Sequence, residues 1–222
     1  MSQPLVVATV HSQGGLRLAE RLGRRDVDLL EIRVDALAGK LDGVRKLVAK
    51  AKVPILLTVR HPAEGGIGNL STATRKKLLT EFLPAAVIVD VELRSAMVMR
   101  EVIAAAKARG IRVVISDHHF RSTPTLAQMR ERRRRAFAAG ADVFKLACLA
   151  DEALAVARLI EFVSDVKAGR VAAMGMGRFG QVSRLVLASV GSVLNYGYLD
   201  KPNAPGQWEA RELKALLRRI GK

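Results

Sequence analysis

The stretch ADVFKLACL, residues 141–149, is an apolar run with a single lysine, Lys145, at its centre. An apolar run of this length is typical of a strand covered on both faces, as in parallel sheets. Burial disfavours a charged ammonium, so we expect Lys145 to supply a neutral, nucleophilic amine, which imine formation with a carbonyl compound requires. The alternative is that Lys145 lies at the end of the strand and pairs with a carboxylate.

Apolar, β-branched runs alternate with amphipathic helical stretches along the whole chain. No linker, low-complexity segment or change in composition divides the sequence, so we predict a single domain over residues 1–222. The eight strand–helix units favour a (β/α)8 barrel, the TIM barrel of the α/β class, over a doubly wound sheet of about five or six strands. The helices are predicted to carry charged outer faces, as in the basic stretch TRKKLLTEFL at 74–83. The predicted strands lie at 4–10, 28–34, 53–60, 86–93, 111–116, 141–147, 171–176 and 192–198.

The formal net charge of +16 raises the possibility of a polyanionic partner. However, the six Phe, two Tyr and one Trp are too few to form a base-stacking platform, so we predict no nucleic-acid binding. The densest basic run, Arg130 to Arg135, follows a helix-start signal with Thr123 as cap and Pro124 in the first turn, and we place its arginines on a solvent face. The alternative is a basic barrel that has lost catalysis and binds polyanions.

Composition also indicates the compartment. No apolar run approaches the roughly 18 residues that span a bilayer, and the N-terminus lacks the layout of a signal peptide. We therefore expect a cytoplasmic protein that does not contact membranes. The single cysteine, Cys148, cannot form an internal disulfide and is predicted to lie in the core.

In a barrel, chemistry is expected at the carboxyl ends of the strands, and polar residues gather there in this sequence. Glu31, Arg33 and Asp35 share one parity around the end of the second strand, which places three charges on one side of it. They indicate a polar cavity, and the alternative is an internal ion-pair network that holds the barrel together. Further charged or titratable residues at strand ends are Arg60, Glu64, Asp90, Glu92, His118, His119 and Lys145.

His118 and His119 are adjacent, so only one of them faces into the barrel. A histidine at a strand mouth, one unit before Lys145, is expected to act as a general acid and base, because its ordinary pKa lies near the working pH. The alternative is a structural imidazole. The chain has four histidines and no His-x-x-x-His or Cys-x-x-Cys pair, so we predict no metal site.

The segment GMGRFG, residues 175–180, follows the seventh predicted strand. It matches the G-x-G-x-x-G fingerprint of dinucleotide folds, but that fingerprint normally opens such a fold, whereas this segment comes late. We predict instead that its backbone amides hold a phosphate or another anion. Ser183 and Arg184 on the next helical turn are expected to provide the counter-charge to a carboxylate. In the last loop, a proline and a glycine are expected to present Gln207 as a fixed hydrogen-bond donor.

Seven stretches in this order together resemble one enzyme family, the type I 3-dehydroquinate dehydratases of the shikimate pathway. The similarity extends from the first predicted strand to the last loop. The stretches are EIRVD (31–35), TVRHPAEGG (58–66), VDVEL (89–93), ISDHHFRSTP (115–124), ADVFKLA (141–147), MGMGRFGQVSR (174–184) and NAPGQ (203–207).

The resemblance implies a lyase that converts 3-dehydroquinate to 3-dehydroshikimate and water without a metal or organic cofactor. It assigns Lys145 as the Schiff-base lysine, His118 as the general acid and base, and Glu64 as the acid that orients this histidine. The other implied roles are substrate contacts: Glu31 and Arg33 to the ring hydroxyls, Arg60, Arg184 and Gln207 to the carboxylate and adjoining polar groups, and Asn203 where the family usually has a serine.

We expect 3-dehydroquinate, a small-molecule substrate, as the partner, and a homodimer as the assembly. The runner-up enzyme is a class I aldolase acting on a sugar phosphate, since it also combines a barrel lysine with an anion site after the seventh strand. The two enzymes differ in which substrate becomes trapped on Lys145.

Overall fold

The computed structural model describes residues 4–165 and 170–221. In this part of the chain, eight parallel strands alternate with eight α-helices, and short 3-10 turns lie between some of them. This architecture confirms the predicted (β/α)8 barrel. The strands are β1 Leu5–Val10, β2 Leu29–Arg33, β3 Ile55–Thr58, β4 Ile88–Glu92, β5 Arg112–His119, β6 Val143–Leu149, β7 Val171–Met176 and β8 Leu194–Tyr198. The helices are α1 Gln13–Ala19, α2 Leu41–Lys50, α3 Thr72–Phe82, α4 Arg100–Ala108, α5 Leu126–Ala138, α6 Ala153–Ser164, α7 Gly180–Ser189 and α8 Ala210–Ile220.

The strands form one sheet in the order β7-β6-β5-β4-β3-β2-β1-β8. Between β5 and β6 the register pairs Ser116 with Lys145 and His118 with Ala147. Alternate residues of a strand share a face, so Lys145 and His118 both project into the barrel, with His118 one level nearer the carboxyl ends of the strands. The register thus brings these two predicted residues to the same end of the barrel.

β7 and β8 are the two ends of this order, and no ladder of residue pairs links them in the part of the chain that the structure describes. The N–H of Val193 donates to the carbonyl of Val171 over 3.0 Å. The hydroxyl of Ser192 accepts from the N–H of Ala173 at 3.0 Å and donates to its carbonyl at 3.2 Å. The barrel is therefore nearly closed, and a serine side chain bridges its last seam.

Two apolar layers cover the strands. Side chains such as Val7, Leu56 and Val114 pack together in the interior of the barrel. A larger cluster, which includes Leu30 and Phe144, packs the outer faces of the strands against the helices. Since both faces of each strand are covered, the strands read as continuous apolar runs.

The start of α5 differs from the prediction. Its N-cap is Thr125, whose side chain accepts a hydrogen bond from the N–H of Gln128, while the Gln128 side chain accepts one from the N–H of Thr125. This capping box satisfies both backbone groups, so the helix begins at Leu126. The prediction that Thr123 caps the helix and Pro124 opens it is wrong.

The basic run on α5 lies mostly in solvent, as predicted. Arg130, Arg134 and Arg135 are exposed, whereas Arg132 is half-buried and pairs with Asp117 at 2.9 Å. The run therefore forms surface ion pairs and an exposed basic face.

Cys148 is buried on β6, as predicted. Burial raises the pKa of its thiol to about 11, which makes it an unreactive core residue. Within residues 4–165 and 170–221, no helix has the length and apolar character needed to cross a membrane.

Candidate active site

A cavity of about 80 Å³ opens at the carboxyl ends of the strands. This is the end at which barrel enzymes carry their active sites. All nine residues to which the family resemblance gives a role line its wall: Glu31, Arg33, Arg60, Glu64, His118, Lys145, Arg184, Asn203 and Gln207.

Lys145 lies on β6, is 4% exposed and lines the cavity. Its Nζ donates to Asp90 over 3.1 Å and lies 3.8 Å from a carboxylate oxygen of Glu31. The ring of Tyr196 lies below the amine, with 3.8 Å between Nζ and the ring centroid. Lys145 thus lies inside β6 and not at its end, but it pairs with carboxylates as the alternative interpretation had it. Two carboxylates and an aromatic face compensate the buried lysine.

His118 and Glu64 form a hydrogen-bonded pair in the cavity wall. Nδ1 of His118 lies 2.8 Å from Oε2 of Glu64. Burial, and then the charges of Arg60 and Lys145, hold the pKa of His118 well below its usual value. Burial also raises the pKa of Glu64 to about 8. Both shifts favour the uncharged partners, so the pair presents a neutral imidazole whose Nε2 is not used by Glu64.

His119 does not belong to this site. β5 continues to His119, past the predicted strand end at 116, so the two adjacent histidines point to opposite faces. Nε2 of His119 lies 2.8 Å from Asp117, which also pairs with Arg132 on α5. The inward histidine is therefore His118.

The three charges at the end of β2 have different partners. Glu31 accepts hydrogen bonds from the hydroxyls of Thr9 and Thr58, each over 2.9 Å. Arg33 forms two hydrogen bonds to Asp35, at 3.0 and 2.8 Å. Burial raises the pKa of Asp35, but the contacts with Arg33 outweigh burial and lower it. Glu31 and Arg33 thus face the cavity, whereas Asp35 does not line it and binds Arg33. The Arg33–Asp35 pair is an internal ion pair of the kind that the alternative interpretation proposed.

Arg60 lines the cavity but is already paired. Its guanidinium binds both oxygens of Asp90, at 3.1 and 2.8 Å, and also donates to Glu92 and Ser116. Burial raises the pKa of Asp90, but Arg60 and Lys145 outweigh it and hold this pKa well below its usual range. The positive charge of Arg60 is thus compensated by buried carboxylates, and its contact with the carboxylate and adjoining polar groups of a substrate stays a prediction.

Arg184 is buried without such compensation. It is 1% exposed and donates to the backbone carbonyls of Tyr196, Gly175, Gly180 and Gly206. No carboxylate contacts it in the described residues, and burial lowers its pKa to about 10. Arg184 therefore joins the ends of β7 and β8 and brings an uncompensated positive charge to the cavity wall.

The glycine-rich turn at 175–180 does not form the predicted anion cradle. Its amides are used within the protein: for example, Gly177 donates to the carbonyl of Pro205 and Arg178 to the carboxylate of Asp151. Gly206, at a φ of +71°, has room for no side chain, since a Cβ there would lie 2.5 Å from the carbonyl oxygen of Gly177. The glycines serve close packing between this turn and the last loop.

Ser183 also has a structural role. It is buried, accepts from the N–H of Gly175 at 3.0 Å and donates to the carbonyl of Gly180 at 2.9 Å. The expectation that it supports a carboxylate ligand together with Arg184 is wrong, because its hydroxyl is committed to the turn.

The last loop presents Gln207 as predicted. Its Oε1 accepts from the N–H groups of Asn203 and Ala204, at 2.9 and 3.2 Å. This fixes the side-chain amide, whose NH₂ group has no hydrogen-bond partner among the described residues. Asn203 is exposed at the rim of the cavity.

Sequence reasoning missed two buried residues around the site. Arg75 was assigned to a basic outer face, but it is 1% exposed and pairs with Glu92. The signal was its spacing, since Leu78, Leu79 and Phe82 follow it at the i+3, i+4 and i+7 positions of an inward helical face. Tyr196, under Lys145, could have been found from strand parity alone.

Among the described residues, no three His, Cys, Asp or Glu side chains converge as a metal-binding group.

Comparison with known proteins gives a consistent result. The model of the family described as type I 3-dehydroquinase matches residues 4–222. A 3-dehydroquinate dehydratase of Methanosarcina barkeri is 34% identical, covering 98% of this chain and 95% of the relative. One from Methanocella arvoryzae is 35% identical over 98% of this chain and 97% of the relative. The crystal structure of 3-dehydroquinate dehydratase from Geobacillus kaustophilus superposes with a TM-score of 0.88 at 26% identity, covering 99% of this chain and 92% of that one.

The fold and the cavity define a class of protein, a (β/α)8-barrel enzyme with a buried lysine and a carboxylate-bound histidine at the carboxyl ends of its strands. Within that class, the match over residues 4–222 and the identity to curated relatives are decisive. The chain belongs to the type I 3-dehydroquinase family.

Proposed function

We propose that this protein dehydrates 3-dehydroquinate to 3-dehydroshikimate through an imine on Lys145, with His118 as general acid and base. One observation carries the proposal: the amine of Lys145 and the imidazole of His118, bound at Nδ1 by Glu64, line the same cavity. An amine nucleophile and a neutral base within one small cavity are the groups that an imine-assisted elimination needs.

The reaction begins when Lys145 adds to the ketone carbon, and water leaves as the carbon–nitrogen double bond forms. The cationic imine acidifies the neighbouring C–H. In the tautomer whose Nδ1–H donates to Glu64, His118 has a free lone pair at Nε2, so it can remove the C–H proton and leave an enamine. The enamine electrons then expel the hydroxyl of the next carbon, and His118 returns its proton to the departing oxygen. Hydrolysis of the imine consumes one water and frees Lys145. Because imine formation released one water, the net change is the loss of one water from the substrate.

The cavity wall has groups suited to hold the substrate. Arg184 is assigned to the carboxylate, since its charge lacks a carboxylate partner among the described residues. Glu31 and Arg33 are assigned to the ring hydroxyls, and the amide of Gln207 to the polar groups next to the carboxylate. Arg60 is assigned to fixing Asp90 beside Lys145 instead of directly anchoring the carboxylate.

The aldolase alternative is less well supported. A sugar phosphate needs a group of free amides or cations for its phosphate. The amides of the turn at 175–180 donate within the protein, so this turn offers no such group.

Borohydride trapping tests the proposal. Incubation with 3-dehydroquinate and borohydride should add the mass of the reduced ligand to the peptide that contains Lys145. Lys214, the other lysine buried in the described part of the chain, is an internal control that should stay unmodified. His118→Ala should still trap ligand but should lose turnover, measured at the ultraviolet absorbance of the conjugated enone. An unmodified Lys145 in an active preparation would refute the imine.

We further propose one catalytic domain over residues 1–222, working as a cytoplasmic homodimer. The single cysteine, with its buried thiol, supports a reducing compartment. The dimer follows from the family resemblance alone. Light scattering on the purified protein tests it, and a monomeric mass at micromolar concentration would exclude it.

A further inference from the structure

Arg75 on α3 is a buried arginine for which the proposed reaction has no role. Its Nε donates to the carbonyl of Val59 over 3.0 Å, and Nη1 donates to the hydroxyl of Ser95 over 3.3 Å. Its Nη2 donates to Oε2 of Glu92. Val59 follows β3, and Glu92 and Ser95 lie at and just after the end of β4. The guanidinium therefore ties α3 to the carboxyl ends of two strands.

The second carboxylate oxygen of Glu92 faces the active site. It accepts from Nη1 of Arg60 at 3.2 Å and from the backbone N–H of His61 at 2.8 Å. Arg60 also binds Asp90, which contacts Lys145 at 3.1 Å. A continuous series of charged contacts thus leads from the helix layer to the reactive amine.

The same contacts hold the loop that follows β3. Val59 and His61 are both fixed in this loop, by Arg75 and Glu92 respectively. The N–H of Glu64 in turn donates to the carbonyl of His61 over 2.9 Å. Displacement of His61 would therefore displace Glu64.

We propose that Arg75 is a positioning residue for the dehydration: through Glu92 it holds Arg60 and the loop after β3 in the place where Glu64 orients His118. This inference rests on the proposed function. A buried charge pair is a poor source of net stability, but its directional hydrogen bonds restrict the geometry around it. The competing explanation is a structural brace whose removal costs stability and leaves the chemistry of the folded enzyme unchanged.

The charge of Glu92 also affects the ionisation of Glu64. Burial raises the pKa of Glu64 to about 8, Arg60 opposes this shift, and Glu92 adds to it. Loss of the Glu92 charge therefore lowers the pKa of Glu64. The charged and titratable groups that face Glu64 are His118, Arg60, Glu92, Asp117 and Arg94.

The test uses the double variant Arg75→Met/Glu92→Gln, which removes both charges and so leaves neither buried alone. We expect its kcat to fall on the order of 100-fold, as for a misplaced catalytic group. Its KM should change less than about threefold, since the substrate contacts stay in place. The inflection that Glu64 sets in the kcat profile near pH 8 should move to lower pH.

Arg75→Lys is the second variant, and it decides the question if the double variant does not fold. It keeps the positive charge but cannot reproduce the three-way hydrogen bonding of the guanidinium. We expect its kcat to fall about tenfold with the inflection near its wild-type pH, because Glu92 stays charged.

The control is a pair at the opposite end of the barrel, where Nζ of the buried Lys214 lies 2.9 Å from the half-buried Asp28. Lys214→Met/Asp28→Asn should lower the melting temperature and leave kcat unchanged. If a folded Arg75 variant keeps the wild-type kcat, the positioning role is overturned and the proposed function stands. If the wild-type protein does not dehydrate 3-dehydroquinate, the proposed function fails, and the role of Arg75 with it.

Discussion

Arg184→Gln should selectively weaken the binding of the substrate carboxylate. Arg184 is 1% exposed and binds backbone carbonyls, and burial lowers its pKa to about 10. Compared with an ordinary arginine, this shift corresponds to about 3 kcal/mol of uncompensated desolvation of the cation. A carboxylate that binds Arg184 recovers this energy. Removal of the Arg184 guanidinium should therefore lower kcat/KM for 3-dehydroquinate by about 100-fold.

The methyl ester of the substrate separates this effect from the structural role of Arg184 at the seam. The ester has no negative charge, so Arg184→Gln should lower its kcat/KM far less. The kcat/KM values of wild type and Arg184→Gln with the acid and with the ester form a double-mutant-type cycle, and turnover is followed at the absorbance of the enone. We expect a coupling free energy of about 3 kcal/mol between Arg184 and the substrate carboxylate. Arg178→Gln, which removes an exposed arginine from the same turn, is the control and should show no coupling. Equal losses for acid and ester would refute the assignment of Arg184 to the carboxylate.

Three further predictions concern stability and rate. Glu64 has a pKa of about 8 in the folded chain against 4.5 when unfolded, so the folded state holds an extra proton and stability falls as pH rises. From pH 6.5 to pH 8 the titration of Glu64 lowers stability by about 2 kcal/mol. His118, which is half protonated at pH 6.5 only in the unfolded chain, offsets about 0.4 kcal/mol of this fall. Glu64→Gln should abolish the fall in urea titrations, and an unchanged pH dependence would contradict this. In Gly206→Ala, the added Cβ would clash with the carbonyl oxygen of Gly177. This variant should destabilise the protein by at least about 1 kcal/mol more than Gly110→Ala, where φ is also positive but no atom lies near the added Cβ. Equal losses of stability in the two variants would rule out the clash. The net charge of +16 should attract an anionic substrate, so kcat/KM should fall several-fold between about 0.01 and 0.15 M salt, and a flat dependence would exclude steering.

The fold and the inward residues of the strands were predictable because both follow from local rules. Eight alternating units specify a barrel, and strand parity specifies which side chains enter it. Lys145 and His118 were found in this way, since their strands are adjacent and parallel. Glu64 was among the strand-end residues, but only the family resemblance gave it a role. It lies in the 3-10 turn after β3, and no periodicity places it opposite His118.

The errors arose where contacts between distant segments decide the outcome. The neighbours of Lys145 include Asp90 from β4, and no spacing within one strand reveals that contact. The turn at 175–180 has the composition of an anion site, but the last loop and Asp151 occupy its amides. Arg75 could have been recognised from the apolar residues that follow it at helical spacing, although its partner Glu92 could not.

The side chain of Arg184 both joins β7 to β8 and lines the active site. Where other neighbouring strands share a ladder of backbone bonds, these two are joined at their upper ends by the guanidinium of Arg184. Thermal opening of the barrel should therefore start along this line, and amide protons there should exchange with solvent sooner than those of β4 or β5. An anion bound to the same guanidinium would slow that exchange. Substrate binding would therefore stabilise the closed barrel at the seam between β7 and β8.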